Sequence, residues 1–188
     1  MKKFLPVVWV AVVVLALFGA RTFYVAQVEK NTQSKNGAAE SLTYMIEGNP
    51  IALRNGVAVS NVIAGVGESR KAFQVRTRYI KTDAVGDLNG DGISDNAVIL
   101  VQEDEGTRES YYVSVARGTS EGYRGTNAIY LGDHIEYHST EIRGGEIVVH
   151  YRDRFPTEPK TAKPSMGVAK YFVLSGETLT QVQKSDSL

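Results

Sequence analysis

Asp87-Leu88-Asn89-Gly90-Asp91-Gly92-Ile93-Ser94-Asp95-Asn96-Ala97-Val98-Ile99-Leu100-Val101-Gln102 is the stretch from which the rest of the chain can be read. Its second half is a β-branched apolar run, so it predicts a buried strand. Its first half is a polar loop. Oxygen-bearing side chains fall at loop positions 1, 3, 5 and 9, with Gly92 at position 6. That spacing suits Ca²⁺, which takes 6–8 oxygen ligands and uses a backbone carbonyl at position 7. Asp87, Asn89, Asp91 and Asp95 would supply side-chain oxygens, Asp95 directly or through a water, and Ile93 its carbonyl. Three carboxylates in one turn repel one another, and a divalent cation relieves that repulsion. The loop contains no His or Cys, which argues against zinc.

The loop is not an EF-hand. Position 12 is Val98 where an EF-hand carries a bidentate Glu, and the flanks read as strands rather than helices. A metal-free turn built on Asn-Gly and Asp-Gly is the alternative, but two such residues suffice for a hairpin and leave Asp87 and Asp95 without a reason.

Gly86 to Asp95 resembles the calcium loops of FG-GAP repeats and, less closely, those of dockerins. In FG-GAP repeats a G-D-x-N-x-D-G-x-x-D loop leads straight into a strand. The resemblance implies a structural calcium held by Asp87, Asn89, Asp91, Ile93 and Asp95. It does not imply a propeller, because the chain has one such loop, no internal repeat and too few residues for the blades. Thr43 to Leu174 also resembles exported bacterial domains without an assigned activity. That likeness rests on Thr43-Tyr44-Met45-Ile46-Glu47-Gly48, Gly86 to Gly92, Gly122 to Ala128 and Gly132-Asp133, and it implies export and one fold unit.

Working outward, short strands recur with hairpin-length connections. Leu42–Ile46 and Pro50–Leu53 flank a turn at Glu47-Gly48-Asn49, and Asn55-Gly56 makes a second hairpin before Val57. A Gly-containing connection, Ser60 to Glu68, has room for a short helix. Ala72 to Ile80 alternates apolar and polar residues, as a half-buried strand does. Glu103 to Arg108 reads as a charged turn. Glu109–Ala116, Tyr123–Leu131, Ile135–Ile142, Glu146–Tyr151, Val168–Leu174 and Thr178–Val182 complete the strands. Asp153 to Ser165, with Pro156, Pro159 and Pro164, is an irregular excursion. The expected fold is mainly β, an antiparallel β-sandwich or partly open barrel, with Ala97–Val101 central between Ala72–Ile80 and Tyr111–Ala116.

The N-terminus gives an address. Lys2 and Lys3 precede Phe4 to Ala20, 17 residues without a charge and about 26 Å long as a helix. Extended to Ala26 with Arg21 snorkelling, residues 4–26 would cross a hydrocarbon core of about 30 Å. The two lysines keep the N-terminus cytoplasmic and send the rest outside. A cleaved signal peptide is the alternative, although bulky Phe18 stands where a small residue is needed before a cut after Ala20. The expected organisation is a membrane segment over 1–28, a polar linker over 29–40, a β domain over 41–183 and a polar tail over 184–188. The address is a single-pass inner-membrane protein with its domain periplasmic or extracellular.

There is no Cys, hence no disulfide and no lipid-attached cysteine. Removing Lys2, Lys3 and Arg21 with the first 28 residues leaves 18 basic against 21 acidic residues, and there is no basic block, so nucleic acid is not expected as a partner. The expected partners are the membrane and an envelope protein or glycan. His134, Glu136 and His138 alternate and would share one strand face, which gives an alternative: an envelope enzyme, hydrolase-like, using that face and possessing a second metal. Three solvated side chains on a wet face explain the same pattern. No nucleophile elbow is present, and Gly65-Val66-Gly67 has Arg70 where a dinucleotide fingerprint needs its third Gly. The ten tyrosines suit cross-strand packing better than a glycan platform. Together these point to an exported β binding module with one structural Ca²⁺. An inhibitor or accessory subunit of another envelope protein is a further alternative.

Overall fold

Alternation, β-branched runs and tight turns give thirteen strands among the described residues, and their only helical element is a 3-10 turn at Ala39–Ser41. The computed structural model describes residues 39–64, 71–80, 84–104, 108–159 and 161–184. The expected membrane segment, most of the expected linker and Gly65-Val66-Gly67 lie outside the described residues. Among those described, no helix is long and apolar enough to cross a membrane.

The strands are β1 (Thr43–Ile46), β2 (Asn49–Ala52), β3 (Val57–Ala64), β4 (Lys71–Ile80), β5 (Val85–Gly86), β6 (Asp95–Asp104), β7 (Arg108–Thr119), β8 (Gly122–Gly125), β9 (Asn127–Asp133), β10 (Glu136–Arg143), β11 (Glu146–Asp153), β12 (Met166–Ser175) and β13 (Thr178–Val182). A nine-stranded, nearly closed barrel-like sheet runs β2-β1-β9-β7-β6-β4-β3, with β5 added to β6 and β8 to β7. A second sheet runs β10-β11-β12-β13. The fold is therefore mainly β, as expected, and combines features of the barrel and the layered sheet.

β6 is central, between β4 and β7, and every residue from Asp95 to Val101 is buried. Its two faces serve two cores. Ala97, Ile99 and Val101 pack with Val113 and Val115 of β7 and with Ile147, Val149 and Phe172 of the second sheet. Val98 and Leu100 point inside the barrel, against Tyr44, Ile46, Ile51, Leu53 and Tyr112. That is why the run has no polar alternation: neither face meets water.

Several details depart from the sequence expectations. The sheet is not wholly antiparallel, since β1 lies parallel to β9 through Met45↔Asn127 and Ile46↔Ala128. Residues 60–64 are strand rather than helix, because β3 continues to Ala64 and pairs with β4 along its length, and the rest of the Ser60 to Glu68 connection lies outside the described residues. Tyr123–Leu131 is two strands, split at Thr126. There the Thr126 hydroxyl oxygen accepts from Val115 N at 3.1 Å, and Gly125 passes so close to the Thr43 carbonyl that no Cβ fits. Packing also begins earlier than Ser41. Ala39 is buried, its carbonyl accepts from the Tyr44 hydroxyl at 2.8 Å, and the Glu40 carbonyl accepts from Gly56 N at 2.7 Å. The Asn55-Gly56 turn is as expected, with φ of 51° and 80°, the paired left-handed conformation that favours this dipeptide.

Candidate metal centre

β5 and β6 pair antiparallel through Val85↔Asn96 and Gly86↔Asp95, so the Asp87–Ser94 loop is the tip of a hairpin leading straight into the central strand. Short polar side chains fold this tip by capturing its own amides. Asp87 Oδ1 accepts from Gly90 N at 2.7 Å and Oδ2 from Gly92 N at 2.9 Å. Asn89 Oδ1 accepts from Asp91 N at 3.0 Å, and Asp91 Oδ1 from Ile93 N at 2.8 Å. The Asn89 amide donates to Asp91 Oδ2 at 2.9 Å. Gly92, at φ 80°, makes the turn that a side chain would strain.

Three contacts dock the loop on the domain. Leu88 is buried in the core between the sheets. Gly118 of β7 comes so near that an added Cβ would lie 2.5 Å from the Ser94 carbonyl oxygen and 2.6 Å from Ile93 Cγ2. Asp95 is completely buried: its Oδ2 accepts from Leu88 N at 2.9 Å and its Oδ1 from Gly118 N at 2.8 Å. One carboxylate thus ties the loop to its own strand and to the neighbouring one.

The electrostatics divide the loop in two. Asp87 is exposed, and the N–H bonds from Gly92 and then Gly90 hold its carboxyl below the ordinary range. Asp95 is pushed up by burial. Its two N–H bonds oppose that shift, and the charges of Asp91 and Asp87 add to it. A cation among the three would reverse that repulsion. Each loop carboxylate oxygen that accepts one N–H has a second lone pair, so the donor set fits a hard, oxygen-seeking ion such as Ca²⁺. Among the described residues, however, no three His, Asp or Glu side chains gather closely enough to form a metal group by themselves. Asn89 and the Ile93 carbonyl would be needed to complete the shell. Arg117 and Arg124 border the same depression as Asp91, but each has its own acid, Glu177 at 2.8 Å and Glu121 at 3.1 Å. Asn96 Oδ1, buried without a partner, lies on the opposite strand face from Asp95 and is not a ligand.

The His134, Glu136 and His138 face does not assemble. His134 sits in the bend before β10 at φ 50°, its N–H bonded to the Glu109 carbonyl at 2.9 Å. Glu136 lies 3.6 Å from Arg152, and a bulge between Tyr137 and Ser139 re-aims His138. His150, from the adjacent strand, reaches Glu141 Oε1 at 3.1 Å and, with the Arg143 charge, keeps that carboxyl low. His138 and His150 only border a shallow groove. The tyrosines do pack: Tyr44, Tyr111, Tyr112 and Tyr151 are buried, and Tyr112 meets Tyr130 edge-on with ring centroids 5.5 Å apart.

Comparison with protein families, with characterised proteins and with solved structures finds no match to this chain.

Proposed function

We propose that the chain is a membrane-tethered, extracytoplasmic β domain that serves as a binding module of the cell envelope, with one structural Ca²⁺ bracing the Asp87–Asp95 loop. The observation that carries this is the loop itself. Asp87, Asn89 and Asp91 already fold it by binding its amides, and it is fixed at the root of the strand on which both cores are built. Asp87, Asn89, Asp91 and the Ile93 carbonyl act as ligands, and Asp95 reaches the ion through its remaining lone pairs or a water. The ion neutralises the acidic tip and holds β5 against β6; it performs no chemistry. Residues 4–26 anchor the chain with Lys2 and Lys3 inside. The similarity of the loop to FG-GAP calcium loops supports the same assignment.

An enzyme working through His134, Glu136 and His138 has less support, because a bend at His134 and a bulge at His138 interrupt the alternation that would put the three on one face, and Glu136 lies against Arg152. Calorimetric titration of the full-length protein with Ca²⁺ tests the proposal. One ion should bind, and Asp87→Ala should abolish the heat. Absence of binding would reduce the loop to an ordinary turn.

A further inference from the structure

The barrel-like sheet fails to close between β2 and β3, the two ends of its strand order. These strands are consecutive and meet at one end, where Arg54 N donates to the Val57 carbonyl at 2.9 Å and Val57 N to the Arg54 carbonyl at 3.2 Å. Beyond that hinge a cavity of ≈ 750 Å³ opens between Asn49, Pro50 and Ile51 on one side and Ser60, Asn61 and Val62 on the other. Its size is within the roughly 300–1,000 Å³ of ligand sites, and barrel mouths are a common place for them.

Backbone direction decides what this seam can take. Val57 turns its N–H and C=O toward Arg54, away from β4, whereas the Gly56 carbonyl accepts from Tyr79 N on the β4 side. Alternate residues of an antiparallel strand point the same way. Val59 and Asn61 therefore direct their N–H and C=O into the seam, where no described strand pairs with them. The opposite edge is blunted. Pro50 pairs with Met45, whose N–H goes instead to the Thr126 carbonyl, so the donor that Pro50 lacks would have faced the seam. β3 is the receptive edge, and Val59 and Val62, 60% and 37% exposed, flank it with apolar surface.

The cavity behind the edge sets the chemistry. Phe73, Val75 and Tyr112 give it apolar walls, and among the described lining residues Glu47, whose Oε1 accepts from the Tyr112 hydroxyl at 3.0 Å, brings a carboxylate to the mouth and Arg108 a guanidinium. Arg108 also leans toward Asp133 at 3.8 Å.

We propose that this seam docks an extended segment of a partner protein. The segment adds as a strand to β3 and directs alternate side chains into the cavity, apolar ones against Phe73 and Val75 and a Lys or Arg toward Glu47. Main-chain hydrogen bonds to Val59 and Asn61 provide the affinity and the cavity the selectivity, as in strand addition generally. This rests on the binding-module assignment but not on the calcium.

The test is to select short random peptides on the full-length protein in detergent micelles, then measure the affinity of a recovered peptide by fluorescence polarisation. Recovered peptides should alternate apolar residues and carry a basic residue in the inward register. Asn61→Pro removes a seam donor while leaving the β3–β4 ladder intact, and should weaken binding roughly tenfold or more. Asn61→Ala should bind normally, and Val62→Trp, which fills the mouth, should not bind. N-methylating alternate peptide amides should weaken binding as much as Asn61→Pro, without altering the protein. Recovery of no peptide, peptides lacking the pattern, normal binding by Asn61→Pro and Val62→Trp, or dimerisation of the chain through β3 would each overturn the proposal. Repeating the measurement in chelator separates the two claims. Peptide binding should persist in chelator, since the seam does not need the ion; failure of the calorimetric Ca²⁺ titration removes only the brace, and calcium binding without peptide binding removes only the seam.

Discussion

Asp95→Ala removes the one side chain that ties the loop to two strands. Its carboxylate is wholly buried and accepts two buried N–H groups, from Leu88 at 2.9 Å and Gly118 at 2.8 Å. Alanine leaves both donors without a partner. A stranded buried donor costs about 1–3 kcal/mol, so the pair costs about 2–6 kcal/mol. Removing a buried charge that Asp91 and Asp87 repel returns part of this. The expected net loss is about 2–4 kcal/mol, a fall in Tm of roughly 5–15 °C for a domain of this size. Asp95→Asn keeps one carbonyl acceptor but turns an NH₂ toward the other donor, so it should lose about half as much. Urea unfolding of the full-length protein followed by circular dichroism reads both. A loss below about 0.5 kcal/mol for Asp95→Ala, at unchanged m-value, would refute the lock.

The two loop acids also titrate in opposite senses. Asp87, held low by its N–H bonds, contributes stability that is present above the ordinary carboxylate range and is lost as pH falls through its lowered value. Asp95, held high, binds its proton in the native state before the unfolded chain does, so its contribution weakens as pH rises from the unfolded value through the raised one. Melting curves between about pH 3 and pH 7 should therefore show a steeper rise of stability with pH in Asp95→Asn than in the parent. Gly125→Ala forces a Cβ onto the Thr43 carbonyl and the ring of Tyr44, which is buried in the core, and should cost about 3 kcal/mol or more in the same unfolding assay. A periplasm-active reporter fused after Ser41 should be active and a cytoplasm-active one silent; the reverse would place the domain inside the cell.

The strands were legible because their periodicity is strong. Ala97–Val101 lacks polar alternation, and it is the strand with a core on each face. Hairpin dipeptides were equally plain, since Asn55-Gly56 carries a backbone conformation in its side chains. What the sequence concealed was long-range. The parallel β1–β9 pair joins residues about eighty positions apart, and no local pattern encodes such a partner. The break at Thr126 comes from Gly125 passing under Thr43, a contact between distant segments. In the loop, the spacing of acids singled out Asp95 but not its bond to Gly118. A glycine within a strand, as at Gly118, was the available signal of a close approach. The His134, Glu136 and His138 alternation presumes a regular strand, and nothing local in it reveals the bend and the bulge that interrupt this one.

The most direct measurement of the calcium brace is the Tm of the full-length protein in chelator, in Mg²⁺ and in Ca²⁺. Binding to the native state alone stabilises by RT ln(1 + [L]/Kd), about 2.7 kcal/mol at a hundredfold excess over Kd. Extracellular calcium modules bind with Kd of about 10⁻⁴–10⁻³ M, so millimolar Ca²⁺ should add ~1 kcal/mol and raise Tm by a few degrees. Mg²⁺ should do less, because it requires tighter octahedral geometry and sheds water reluctantly. Asp87→Ala and Asp91→Ala should erase the shift, and Asp95→Ala should lower Tm in all three buffers. Superimposable curves in Ca²⁺ and chelator would contradict the brace.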